Sequence, residues 1–357
     1  MLALREMART LLAVLMFLAV ALGPVRAADT LDIYFIDVEG GQATLLVTPA
    51  GQSMLIDSGF PGTGTFGSTP GDPGQARDAQ RILAAARKAG ITRIDYLVIS
   101  HFHADHAGGV PELAQLIPID TFVDHGNVLP VAETNVRGTL AMFERYAAVR
   151  ARGKHLEPKP GDRVPLNGVD VTVLSALGSV IPRPLAGAGA PNAKCGATVP
   201  PAEEVNENPR STGVLVQFGR FRFLDLGDLA GQPLFDLVCP SNRVGPIDAY
   251  LVPHHSGVDA ADAATFEAFR PRVAISNNGA AKGGAPETLR AIRSSPGLLD
   301  AWQLHHSRRA GADNAADDRI ANLDETTSHW IKLSARVDGS FDVESDRTGT
   351  VRHYPAR

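Results

Sequence analysis

The chain has 357 residues, 44% hydrophobic and 20% charged, with 35 glycines and a formal net charge of −5. That composition supplies ample core and many turns for an ordinary globular enzyme. The acidic balance, deepened once an N-terminal segment carrying Arg5, Arg9 and Arg26 against Glu6 is removed, excludes the electrostatic footprint of a nucleic-acid binder.

Residues 1–27 carry Arg5 and Arg9, then an apolar stretch from Leu11 to Leu22, then Val25-Arg26-Ala27. This reads as a secretory signal peptide, its apolar part being short for a transmembrane helix; an uncleaved N-terminal anchor is the second reading. No later stretch is long and apolar enough to span a bilayer, so the mature chain is expected to be exported, either periplasmic or released. Residues 28–357 are read as a single domain, with a core over about 30–280 and a C-terminal extension ending in an edge hairpin. Cys195 and Cys239 lack metal-type spacing, and in an exported chain they are most simply a disulfide, with two buried thiols as the alternative.

Residues 31–38 read as a strand, Glu39-Gly40-Gly41 as a turn and 43–48 as its hairpin partner, after which 53–56 runs into Asp57-Ser58-Gly59. Residues 60–74 are rich in Gly, Pro and Thr and form a loop. Residues 77–89 place Ile82, Leu83 and Ala86 at helical spacing.

The strand-like run 95–100 stops at His101-Phe102-His103-Ala104-Asp105-His106, followed by Ala107-Gly108-Gly109. Residues two apart at a strand's end point the same way, so His101 and His103 can converge on one cation. The tighter turn after them aims Asp105 and His106 at a neighbouring position, and one loop can serve two metals. Imidazole and carboxylate without thiolate suit zinc first, with iron or manganese as alternatives.

Residues 111–116 continue a helix, and 119–123 form a strand ending at His125, which is read either as a substrate or metal-supporting group or as a hydrogen-bonded structural histidine. A helix over 139–150, a hairpin of 161–164 with 169–174 and a long loop over 181–210 held by Cys195 follow. The hairpin 211–218 with 220–226 delivers Gly227-Asp228-Leu229, and the strand 248–252 delivers Pro253-His254-His255. Helix, strand and helix then alternate over 260–294. Asn277, Asn278 and Lys282 follow the strand 272–276 and are read as a turn that could contact substrate. Trp302 to His306 read as a surface loop whose histidines are not assigned to metal. Asp338-Gly339 marks a hairpin turn between the last strands.

The pattern His101-x-His103-x-Asp105-His106 resembles that of the metallo-β-lactamase-fold hydrolases. The resemblance implies an α/β four-layer αββα sandwich, with two mixed β-sheets inside and helices on the outer faces. It also implies metal ligands at His101, His103, Asp105, His106, Asp228 and His255, with Asp228 bridging two ions, and it makes Asp57 the carboxylate that braces the metal loop. His254 is then a substrate-facing or supporting group, or exchanges roles with His255. Ile36-Asp37-Val38 with Gly40-Gly41-Gln42, Leu55-Ile56-Asp57-Ser58-Gly59, Asn208 with Ser211, Gly227-Asp228 and Val252-Pro253-His254-His255 are similar to the hydrolase domain of ComEC/Rec2-type competence proteins, over residues 30–280.

Two departures stand out. A further Gly-His turn found in many members before the bridging Asp is replaced here by Asn206, Asn208 and Ser211, and the competence proteins' channel segments are absent. The resemblance implies hydrolysis by a metal-activated water that Asp57 or Asp105 orients, with His125, His254 or Asn208 steadying the oxyanion. Phosphodiesters are the preferred substrate class, with lactones, β-lactams and other esters or amides as alternatives. A non-catalytic metal-binding module is the competing class of answer.

Overall fold

The structure, a computed structural model, describes residues 29–65, 67–197, 206–260 and 262–357; the segment read as a signal peptide lies outside them. Two nine-stranded sheets are present among the described residues. The first runs in the order 351–354, 341–345, 331–335, 31–35, 44–47, 53–56, 94–98, 119–123 and 154–156. The second runs 320–322, 300–305, 273–276, 249–251, 221–225, 213–218, 169–176 and 163–166, with 179–180 beside 169–176.

Side chains that alternate along each strand decide the layering. In Leu31–Phe35, Leu31, Ile33 and Phe35 join Phe223, Leu251, Ile275 and Trp302 in the core between the sheets. Tyr34 turns the other way, to a second core shared with Ile82, Leu113 and Tyr146 of the helices Arg77–Lys88, Val110–Leu116 and Thr139–Arg150. A third core packs the helices Gly231–Val238, Ala263–Phe269 and Pro286–Arg293 on the far face of the second sheet. The result is an αββα sandwich.

In the first sheet Ser53–Ile56, Ile94–Val98 and Ile119–Val123 run parallel, and in the second Phe221–Asp225, Ala249–Leu251, Val273–Ser276 and Asp300–His305 do. Their C-terminal ends open into the loops that carry most of the chemistry-bearing residues, the usual place for a ligand in such sheets.

The reading of Trp302 to His306 as a surface loop is corrected. Asp300–His305 is a parallel strand between Val273–Ser276 and Ile320–Asn322, with Trp302 and His305 fully buried. Two polar residues disguised it: Gln303 donates to His305 O and Asn314 Oδ1, and His305 meets Asp37. The core therefore extends past residue 280. It takes in Ile331–Ala335, which pairs antiparallel with Leu31–Phe35, while 341–345 and 351–354 form the outer edge.

Cys195 and Cys239 form a disulfide that ties the long loop to the end of helix Gly231–Val238. Among the described residues no helix is long and apolar enough to cross a membrane.

Candidate metal centre

The His101–His106 loop is fixed from behind. Asp57, at φ 62°, accepts from Ser100 N–H (2.8 Å) and Ser100 Oγ (2.7 Å), and its Oδ2 lies 2.7 Å from His106 Nδ1. With Nδ1 engaged, His106 presents Nε2 to the interior. Gly108 and Gly109 let the Asp57 turn approach, since a Cβ on Gly109 would lie 2.2 Å from Ser58 O. Gly41 is constrained from the front, where a Cβ would stand 2.5 Å from Asp105 O.

Three consecutive residues, His254, His255 and Ser256, take left-handed backbone conformations (φ 48°, 54° and 57°), a strained arrangement without glycine. The turn is held by hydrogen bonds from Gly284 N–H to His255 O (2.9 Å) and Ala285 N–H to Ser256 O (2.8 Å). The turn aims His255 at Asp105 and His106 of the first sheet's loop and His254 at Asp228 and Asn208.

Asp105, His106, Asp228 and His255 are all buried, and each offers a donor atom within 4.8 Å of the others. His106 Nε2 is 3.1 Å from Asp228 Oδ2 and 3.5 Å from Asp105 Oδ2; His255 Nε2 is 3.3 Å and 3.2 Å from the same two oxygens. His101 Nε2 and His103 Nδ1 face each other at 2.9 Å, and Asp228 Oδ2 lies 3.9 Å from His101 Nε2. The quartet Asp105, His106, Asp228 and His255 has the donor chemistry to hold a metal ion. Asp228 turns Oδ2 to several imidazoles, while its buried Oδ1 finds no hydrogen-bond partner among the described residues.

The charge balance is tight. Burial would raise the Asp105 and Asp228 carboxyls, yet Lys282 and His106 on the first, and His106, His255 and His254 on the second, hold both well below the usual carboxylate range. Burial would lower His106, but Asp228, Asp105 and Asp57 outweigh it and hold the ring well above the ordinary imidazole value. His101 goes the other way, pushed well down by burial and then by neighbouring His106. Against burial, Asp228 and the Asp259 hydrogen bond push His254 up to about 9. The raised values belong to His106 and His254, the rings on which Asp228 is the largest influence acting against burial.

A cavity of about 370 Å³ opens onto the cluster, lined by His103, Asp105, Asp228 and His254, with Asn135, Val136, Asn206, Asn208 and Lys282 among the other walls. His254 holds Asp259 through Nδ1 (2.6 Å) and points Nε2 to within 3.8 Å of Asp228 Oδ2 and 3.4 Å of Asn208 Nδ2. The geometry thus separates the two neighbouring histidines: His255 faces both acids of the cluster, and His254 faces the cavity.

It also sorts the water-orienting pair. Asp105 lines the cavity, whereas Asp57 stands behind His106 with both oxygens engaged. His125 is not in the cavity wall; it pairs with buried Glu207 (3.1 Å) and packs on Phe102. Ser211 lies behind the loop, 3.5 Å from His101 Nδ1. Glu207, Asp259 and Ser100 were not singled out from sequence, because an acid or hydroxyl outside a motif carries no local signal of its partner. Asp37, Glu39 and His305 form a second group of close donors, with Arg81 on both acids.

Residues 36–189 match the family model of the metallo-beta-lactamase superfamily. The chain has the metallo-β-lactamase fold. Similar solved structures include a variant of the CmlA β-hydroxylase, 15% identical, over 77% of this chain and 52% of that one, with TM-score 0.42. CmlA of Streptomyces venezuelae, described as a diiron β-hydroxylase, is 12% identical over 69% of this chain and 44% of that one, with TM-score 0.37. A metallo-β-lactamase of Cronobacter sakazakii with an HARLDQ motif is 19% identical over 59% of this chain and 68% of that one, with TM-score 0.32. The chain spans about half the length of the hydroxylase it matches. No curated protein matches it in sequence.

Proposed function

We propose that this metallo-β-lactamase-fold protein is a metal-dependent hydrolase acting on phosphodiester-type substrates, with zinc as the first choice of ion and two ions per chain. The observation that carries this reading is the buried quartet Asp105, His106, Asp228 and His255, drawn from three separate loops to one point beside a cavity. A bound pair of divalent cations would supply a coordinated water with pKa near about 7 and polarisation of the bond to be split. His101 and His103, with Asp228, are the residues for one ion. Asp105, His106 and His255 share Asp228 for the other.

The remaining groups position and receive. Asp57 keeps His106 Nε2 directed inward by occupying Nδ1. Asp105 stands in the cavity wall beside the position the water would take. His254, oriented by Asp259, offers Nε2 to negative charge developing on the substrate, and Asn208 offers its amide beside it. Beside the two acids, the cavity wall offers three amides, two imidazoles and an ammonium, which can serve a polar, charged ester. The similarity to the competence-protein hydrolase domain leans the same way. The disulfide is consistent with export to an oxidising compartment.

Element analysis of the purified protein should return two metal ions per chain. Metal-loaded protein should release p-nitrophenol from bis-p-nitrophenyl phosphate; turnover of a chromogenic lactam alone would replace the phosphodiester assignment.

A further inference from the structure

The loop after strand Val273–Ser276 brings Lys282 into the wall of the cavity that Asp228, Asn208 and His254 also line. Its ammonium touches Asp105 Oδ2 and Gly40 O and lies 5.8 Å from the centre of the Phe60 ring. The side chain is 27% exposed while Asp105 is 5% exposed, so the lysine is tethered inside yet open to what enters the cavity.

The backbone is shaped around this placement. Gly279 N–H donates to Lys282 O (2.9 Å), closing the turn. Gly40, at φ +85°, faces it so closely that a Cβ there would lie 2.9 Å from Gly279 N and 3.0 Å from Lys282 Cβ. A surface lysine needs no such accommodation.

We propose that Lys282 is the anion contact of the cavity and takes a charged, non-bridging oxygen of a phosphate-bearing substrate. The proposal rests on the hydrolase reading for where the scissile bond lies, but the anion site itself does not require turnover. A phosphodiester entering the cavity must shed water from a full negative charge, and that cost is met only by a cationic partner inside. With cations held at Asp105 and Asp228, those acids would draw less on the Lys282 ammonium, which would then add its positive charge to that of the ions at the cavity wall. Lysine suits the task as a point-charge phosphate binder, and Asn206 and Asn208 add neutral donors in the same wall. A neutral ester or lactam carbonyl would gain little from it. The competing account is that Lys282 only braces Asp105 and so maintains the metal site.

The two accounts separate in a calorimetric titration of metal-loaded protein with inorganic phosphate, with metal content measured alongside. Lys282→Met should weaken phosphate binding about 10- to 100-fold, the range for a hydrogen bond to a charged group, while metal stoichiometry stays as in the parent. Lys282→Arg should restore binding to within a few-fold, and with bis-p-nitrophenyl phosphate the Met variant should lose more in KM than in kcat. Phosphate affinity unchanged in the Met variant, absent in the parent, or lost only together with the metal overturns the assignment. The hydrolase reading fails on a different result: metal-loaded parent that binds phosphate but turns over no ester or amide.

Discussion

Two clusters in this protein combine acids with histidine at close range, and they differ in what balances the acids. In the Asp37, Glu39 and His305 group, His305 Nε2 lies 2.7 Å from Asp37 Oδ1 and 3.5 Å from Glu39 Oε2. Arg81 reaches the same acids at 2.9 Å and 3.3 Å, so a permanent guanidinium already completes the set. In the Asp105, His106, Asp228 and His255 group the nearest positive charge on Asp228 is that of the imidazoles themselves, which can give up their protons to become ligands. Identical residue types therefore make a closed salt-bridge network in one place and a candidate metal centre in the other. What decides is Asp228, which among the described residues pairs with imidazoles, while Lys282 reaches Asp105.

The severest way to break the comparison is at Asp228. Asp228→Asn should cut turnover on the order of 1000-fold or more and lower bound metal below two per chain, read by initial rates and element analysis; an intact rate removes the centre from the chemistry. Arg81→Met should do the reverse. It should leave metal content and rate near the parent values while costing about 2 kcal/mol in urea unfolding, because it leaves buried Asp37 and partly buried Glu39 with only the His305 ring against them. Metal lost along with Arg81 would mean that the Asp37 group also holds an ion.

A smaller effect is expected behind the metal loop. Asp57→Asn should weaken metal affinity about 10- to 100-fold in chelator competition while the fold persists, as for other groups that orient a ligating histidine. No change would demote Asp57 to a turn former.

Asp225 sharpens the contrast from a third side, being a buried acid with neither guanidinium nor candidate ion. Gln42 Nε2 and Gly227 N–H serve it at 3.0 Å each, and burial pushes its carboxyl up to about 7. A folded-state pKa raised above the unfolded value means that the native protein holds the extra proton. Its stabilising contribution is full below about pH 4 and declines as pH rises to about 7. Metal-free protein should therefore lose up to about 1.4 kcal/mol per pH unit from this group across that window, and Asp225→Asn should flatten the slope in thermal melts. Equal slopes in the two proteins would assign the pH dependence elsewhere.

The metal loop was legible because its information is local: a strand, three imidazoles and an acid within six residues, then two glycines, of which Gly109 lets Ser58 approach. Asp57, Asp228 and His255 were legible only through the family resemblance, each lying within four residues of the end of a strand. The sequence was silent where meaning depends on a distant partner. Lys282 reads as a turn residue until it is placed beside Asp105, 177 positions earlier. His305 reads as loop until Asp37, 268 positions away, explains why a polar ring can end a buried strand. His125 read equally as a substrate or metal-supporting group and as a hydrogen-bonded structural histidine, and Glu207, 82 positions later, is the partner the sequence could not name.

The glycine turn at residues 39–41 is wedged between the Asp105 loop and the Gly279–Lys282 turn, so opposite ends of the polypeptide interlock at one spot. A nascent chain that has emerged only through His106 carries four attractive donors but no seat for an ion, since Asp228 and His255 have yet to be synthesised. Any ion held there must wait until the segment carrying His255 has been made, and a fragment cut between the sheets would lose it even if each half kept its shape.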